Sequence, residues 1–243
     1  VSDMSGTVLR SRATPGRLAL RVDGRAARRL PVAVREPPAI RREPFSAWKR
    51  AAKRGLDLCV AAMALTLLAP LMAAIALAIR LDSPGPALFR QARGGLNGRP
   101  FRIVKFRTMS VAEDGAAVEQ ARARDPRVTR IGALLRRTSF DELPQLVNVL
   151  RGDMSLVGPR PHAVKHDRDF AACIENYALR QQVKAGLTGW AQIHGARGPT
   201  HTVEQIRRRV DLDLWYVRHW SLALDLSILL RTLAAVVGGR NAV

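Results

Sequence analysis

Asp141 and Glu142 are adjacent acids in the run from Thr138 to Leu146, preceded by Arg136 and Arg137 and followed by Arg160 inside the turn Gly158-Pro-Arg-Pro161. Paired carboxylates among arginines suit phosphate chemistry. The cations neutralise phosphate oxygens, and a carboxylate oxygen can then approach phosphorus. Ser139 and Glu142 have the S-x-x-E spacing of a helix capping box, which predicts both acids in a first helical turn, where free N–H groups favour negative charge. Acids in a first turn are also ordinary caps, and Arg-rich flanks ordinary solvated surface, so the local pattern leaves both readings open.

Several elements must position these groups. Pro100 to Met109 has the aromatic and branched content of a strand, with Lys105 and Arg107 sharing one face as either solvated edge charge or ligand contacts. Residues 111–126 are polar and helix-prone. From Val203 through Ile206, Val210, Leu214 and Val217 the apolar residues recur at three and four, which predicts an amphipathic helix with Arg207, Arg208 and Arg209 on other faces. That helix could pack on a core or lie on lipid. Trp215, Tyr216 and Trp220 suit either a membrane interface or a core. Leu222 to Val237 is apolar but interrupted by Asp225 and Arg231, which reads as an interfacial or packed helix rather than a span.

Leu58 to Ile79 is free of charged residues for 22 positions, the length of a membrane helix. Pro70 lies near its middle and removes a backbone N–H. Each arm is then about 18 Å long, short of a bilayer core of about 30 Å. Basic residues flank both ends, Lys49 to Arg54 before and Arg80 to Arg107 after, so both ends look cytoplasmic. A helix that enters, breaks at Pro70 and returns to the same face meets both conditions. Asp57 is spaced to pair with Lys53 and Arg54 at the interface.

The 243-residue chain carries 40 Lys and Arg against 20 Asp and Glu, a formal charge of +20, which points to a polyanionic partner: nucleic acid, anionic lipid or a phosphorylated substrate. Residues 1–54 alone hold 14 basic residues against four acids. With Pro31, Pro37, Pro38 and Pro44 and no apolar periodicity, residues 1–45 read as a mobile basic tail suited to an anionic membrane face. Two cysteines, Cys59 and Cys173, are too few for a disulfide framework, and a reducing, cytosol-facing location fits. No secretory leader, Walker loop, dinucleotide fingerprint or Cys/His metal cluster is expected from the sequence.

Lys53-Arg54-x-x-Asp57, the Pro70-interrupted apolar run, KFRTM (105–109), DPRVTRIG (125–132), SFDELPQL (139–146), GDMSLVGPRP (152–161) and GLTGWAQI (186–193) occur in this order. Together they resemble the bacterial monotopic phosphoglycosyl transferases, the initiating sugar transferases of exopolysaccharide and glycoconjugate synthesis, from about Trp48 to the C-terminus. The resemblance implies transfer of a sugar 1-phosphate from a UDP-sugar to a polyprenol phosphate, usually undecaprenyl phosphate, with UMP released and Mg2+ required. It makes Asp141 the nucleophile and a metal ligand, Glu142 its partner acid, and Arg136 and Arg160 phosphate-holding residues; Lys105 joins them as a substrate-binding candidate. PHAVKHD (161–167), GWAQIHGARGPT (189–200) and the stretch 209–226 are most similar to the branch that transfers glucose 1-phosphate.

The expected fold is α/β and mainly helical, with a Pro-broken re-entrant membrane helix and interfacial amphipathic helices. Residues 1–45 would form the tail, 46–82 the hairpin and 83–243 a cytosolic catalytic domain. The expected location is the cytoplasmic face of the bacterial inner membrane. Membrane lipids are partners and nucleic acid is not; homodimerisation is left open. The competing readings are a glycosyltransferase releasing UDP and a non-enzymatic binder of anionic lipid or nucleic acid. Two departures from the family pattern stand out. Ala69 precedes Pro70 where many relatives have Ser, and Ala185 stands where Pro is usual, which predicts an altered bend and a less rigid loop.

Overall fold

The computed structural model describes residues 45–110, 125–196, 198, 200 and 202–237. The tail before residue 45 and most of the polar segment 111–126 lie outside them. The described chain is mainly helical, as expected, with two small two-stranded sheets.

Helix α1 runs from Ala47 to Asp82 without interruption, so the break expected at Pro70 does not divide it into two helices. It is long and apolar enough to cross a membrane, and only 11% of its most apolar window is buried. Met63, Leu67, Leu77 and Leu81 face outward. Both ends dock on the rest of the protein. Ala61 joins a core cluster with Ile103, Val149, Met154 and Leu156, while Ile75 and Ile79 join another with Ala87, Phe106 and Leu135.

The N-terminal half of α1 docks by polar contacts that run away from the helix. Lys53 Nζ donates to Asp225 Oδ2 at 2.6 Å and to the Val157 carbonyl at 3.0 Å. Asp57 Oδ1 accepts from Ser155 Oγ and from the Leu156 N–H, each at 3.0 Å. Arg54 donates to the carbonyls of Val149 and Leu150. The charge of Lys53 still bears on Asp57, but the hydrogen bonds of Lys53, Arg54 and Asp57 go to long-range partners, because a buried polar group needs a partner.

Strands β1 (Leu88–Gly94) and β2 (Pro100–Phe106) form an antiparallel hairpin. Arg107 lies one residue beyond β2 and does not share a strand face with Lys105. It is buried and donates to the carbonyls of Ser83 and Pro84, fastening the turn that follows α1. Helix α2 (Arg130–Thr138) begins on a Thr129 side-chain cap, and Gly132 passes so close to the Thr108 backbone that a Cβ would clash.

Helix α3 (Gln145–Arg151) leads to β3 (Ser155–Val157), which pairs in parallel with β4 (Gly186–Thr188). Between them lie α4 (Val164–Cys173) and a 3₁₀ segment, Tyr177–Gln182. After the single turn α5 (Trp190–Ile193) come α6 (Val203–His219) and α7 (Leu222–Val237).

Helix α6 follows its sequence pattern, with Ile206, Val210, Leu214 and Val217 buried, and it opens on a capping box between Thr202 and Gln205. Arg209 departs from the expectation of an outward face and is buried. Tyr216 and Trp220 are core residues; Trp215 is partly exposed, stacked between Trp190 and His219.

Candidate active site

The segment joining α2 to α3 carries the acids. Ser139 ends α2 in the left-handed region, with φ 63°, and a 3₁₀ turn over Phe140–Glu142 follows before Pro144 opens α3. This corrects the expected capping box: Ser139 supplies no side-chain cap, and the Glu142 carboxylate turns to cations instead of to a backbone N–H.

Asn148 sets the distance between this turn and β2. Its side-chain oxygen accepts from the Val104 N–H at 2.9 Å and its amide donates to the Arg102 carbonyl at 2.8 Å, so α3 is stitched to the strand that carries Lys105. Lys105 Nζ consequently lies 2.8 Å from Glu142 Oε1 and 3.9 Å from Asp141 Oδ2.

The β3–β4 pair sets the other side. Gly158 N–H donates to the Thr188 carbonyl and Gly186 N–H to the Pro159 carbonyl, both at 2.9 Å, and a Cβ on Gly186 would collide with Gly158. Prolines on both sides of Arg160 narrow the turn's backbone freedom. Ala185, where a Pro was usual, is held within this pairing: its carbonyl accepts from the Ser155 N–H at 2.9 Å. From this turn Arg160 Nη2 reaches Glu142 Oε1 at 2.6 Å and Nη1 reaches Oε2 at 3.2 Å.

The two acids differ in electrostatics. Burial works to raise the Glu142 carboxyl, but Arg160 and Lys105 outweigh it and hold the group well below its usual range. Burial pushes the Asp141 carboxyl up, with Glu142 adding to the effect, and Lys105, Arg160 and Arg136 oppose it without cancelling it. Glu142 is thus a clamped anion. Among the described residues Asp141 is engaged by the 3.9 Å contact to Lys105 alone, and its carboxylate can meet a ligand.

The structure therefore brings Asp141, Glu142, Lys105 and Arg160 together, with Arg136 close enough for its charge to act on Asp141. Among the described residues no group of three or more His, Cys, Asp or Glu could hold a metal unaided. Mg2+ commonly takes one or two carboxylates and completes its shell with water and substrate phosphates. The Asp141 carboxylate fits that pattern, whereas Glu142 already satisfies two cations.

A second polar layer lies behind Arg160 and was not foreseen. Arg180 Nη2 donates to the Arg160 carbonyl at 2.6 Å and to Asp213 Oδ2 at 2.8 Å, both side chains being 2% exposed. Tyr177 donates to Asp167 at 2.6 Å, so its oxygen accepts from the Nδ1–H of His162, also at 2.6 Å. Burial and then Arg180, Arg209, Arg93 and Arg160 hold the His162 imidazole well below its usual range, so it stays neutral. One signal was available: Asp213 stands three residues after Val210 on the apolar stripe of α6, where an acid must find a buried partner.

A carboxylate held among Lys105, Arg136 and Arg160, in a chain with one helix long and apolar enough to cross a membrane, fits a membrane-associated transferase of phosphorylated substrates. The chain belongs to the bacterial sugar transferase family, whose model matches residues 48–239, and it is an enzyme of the phosphoglycosyl transferase class.

It is 57% identical over 190 residues to a UDP-glucose:undecaprenyl-phosphate glucose-1-phosphate transferase of Caulobacter vibrioides, covering 78% of this chain and 71% of that one. A protein of the same description from Escherichia coli is 51% identical over 189 residues, covering 78% of this chain and 41% of the relative. An exopolysaccharide production protein of Rhizobium leguminosarum is 44% identical over 187 residues, 75% of this chain and 94% of that one. The chain thus spans most of the first and third relatives and about two fifths of the second.

Proposed function

We propose that this enzyme transfers glucose 1-phosphate from UDP-glucose to undecaprenyl phosphate, releasing UMP, as the first step of exopolysaccharide or glycoconjugate assembly. The observation that carries this reading is the contrast between a cation-clamped Glu142 and an adjacent Asp141 left available beside Lys105, Arg136 and Arg160. The high identity to glucose-1-phosphate transferases supports the choice of sugar and acceptor.

In the first step an Asp141 carboxylate oxygen attacks the phosphorus that bears glucose. The bond from that phosphorus to the bridging oxygen breaks, and its electron pair leaves on UMP. In the second step a phosphate oxygen of undecaprenyl phosphate attacks the same phosphorus, and Asp141 leaves as a free carboxylate. Lys105, Arg136 and Arg160 hold phosphate oxygens so that one anion can approach another. Glu142 keeps Lys105 and Arg160 at fixed positions. Mg2+, held by Asp141 and substrate phosphates, would supply further neutralisation of the phosphoryl charge.

In this reading the exposed apolar middle of α1 sits in lipid and both termini of the helix lie on the cytoplasmic side; the packing of both of its halves on the rest of the protein supports it. A soluble donor and a lipid acceptor then meet at the head-group plane.

Incubation with UDP-glucose and undecaprenyl phosphate separates this reaction from simple glycosyl transfer: UMP is expected, and UDP as the nucleotide product would overturn the proposal. Without acceptor, a burst of UMP stoichiometric with enzyme is expected and should vanish in Asp141→Asn. An undiminished burst in that variant would remove Asp141 as nucleophile.

A further inference from the structure

Near the acids, buried Arg180 and half-buried Arg160 are matched to carboxylates, Asp213 at 2.8 Å and Glu142 at 2.6 Å. Arg93, at the end of β1, is not. Its Nη2 donates to the neutral amide oxygen of Gln91 at 2.5 Å, and its Nη1 reaches the Pro161 carbonyl only at 3.4 Å. Its Nε is buried with no partner among the described residues.

No carboxylate among the described residues lies within ion-pair distance of Arg93, and it must share its surroundings with a like charge. Burial and the neighbouring Arg160 lower its proton affinity to about 10, with Glu142 and Asp167 compensating only in part. A guanidinium offers five donors in a fixed fork that matches phosphate oxygens. Half-burying such a group without a carboxylate partner is unfavourable for the free protein, and an arriving anion relieves it. Arg209 also has a buried Nε without a partner, but its two other nitrogens hold the Gly198 carbonyl at 2.7 Å and His162 at 3.3 Å, which fits an anchor for the loop before α6.

We propose that Arg93 is a further substrate-binding residue, which takes the phosphate of the nucleotide donor that does not react, the one that departs with the nucleoside monophosphate. This rests on the reading of the site as a phosphoglycosyl transferase centre. Arg93 Nη1 lies 3.4 Å from the carbonyl of Pro161, the residue after Arg160, and the Arg160 guanidinium holds Glu142, the neighbour of Asp141. Arg93 therefore adjoins the turn that carries Arg160, one step further from Asp141. A phosphorus facing Asp141 leaves its neighbouring phosphate across Arg160, toward Arg93. A cation there stabilises the charge that gathers on the departing oxygen as the bridging bond breaks.

Arg93→Met and Arg93→Gln in the full-length, membrane-embedded enzyme test this, with UMP as the calorimetric probe and steady-state rates on UDP-glucose alongside. Loss of charge-assisted bonds to one phosphate is expected to weaken UMP affinity and raise the KM for UDP-glucose by about 10- to 100-fold. The melting temperature without ligand should be unchanged or higher, since an unmatched charge has been removed, and Arg93→Lys should recover part of the affinity. Unchanged UMP affinity, or a lowered ligand-free melting temperature in both neutral variants, would show Arg93 to be a structural residue and overturn the assignment. A raised KM for a short-chain polyprenyl phosphate with UMP affinity intact would move the site to the acceptor and overturn it as well. Should the parent enzyme release UDP instead of UMP, the proposed reaction fails, while the UMP titration still reports on Arg93.

Discussion

Glu142 Oε1 lies 2.6 Å from Arg160 Nη2, and the same oxygen accepts from Lys105 at 2.8 Å, so one carboxylate oxygen ties a strand residue to a turn residue 55 positions later. Glu142→Gln keeps the shape but leaves two cations competing for a neutral amide. Removing one partner of a buried ion pair costs about 3–5 kcal/mol. The variant should unfold at lower denaturant and lose most of its turnover, because Arg160 and Lys105 no longer hold their spacing. Denaturant midpoints and initial rates on one preparation check both.

Asp141 must be ionised to attack, and its carboxyl is raised by burial. The acidic limb of kcat/KM should therefore fall at a higher pH than an ordinary aspartate, near 3.8, would give. Lys105 is the strongest of the cations that pull it down. In Lys105→Met the carboxyl rises further, so the limb should move to still higher pH, along with a lower maximal rate. A limb that stayed put or moved down would show that Lys105 does not act on Asp141.

Lys53 and Asp225 are 2.6 Å apart, with side chains 10% and 1% exposed, and Tyr216 and Trp220 also donate to Asp225. Asp225→Asn leaves the Lys53 ammonium buried without its counter-charge, and a loss of stability of about 3 kcal/mol or more is expected. Lys53→Met combined with Asp225→Leu should recover part of it, since apolar pairs of similar volume replace buried ion pairs at little cost. Thermal unfolding of the two variants and the parent in detergent tests this.

For the path of α1, single cysteines introduced at Trp48 and at Leu81, both exposed, in a chain with Cys59 and Cys173 replaced should react with an impermeant maleimide from the cytoplasmic side only. Labelling of the two positions from opposite sides would make α1 a spanning helix.

Local patterns were legible where one element explains itself. The stripe Ile206, Val210, Leu214, Val217 gave α6, the branched run before Met109 gave β2, and the ordered motifs gave the family and the placing of Asp141, Glu142, Lys105, Arg136 and Arg160 near one another. What escaped depends on partners distant in the chain. The Ser139 and Glu142 spacing looked local, but Lys105 and Arg160 compete for the carboxylate more strongly than a backbone N–H can. Asp57 looked like a partner for its own helix until Ser155 and Leu156 were brought to it by folding. Arg180, Asp213 and His162 carry no motif-level sign of their joint burial, although an acid on an apolar helix face was a hint.

Because Ala61 and Ile79 belong to two separate hydrophobic clusters, α1 is a structural staple more than a detachable leash. Trimming it to obtain a water-soluble fragment would open two holes in the protein's interior at once and orphan the partners of Lys53, Arg54 and Asp57. Any such fragment needs replacement side chains at both seams, so solubilisation here is a redesign problem and not a truncation.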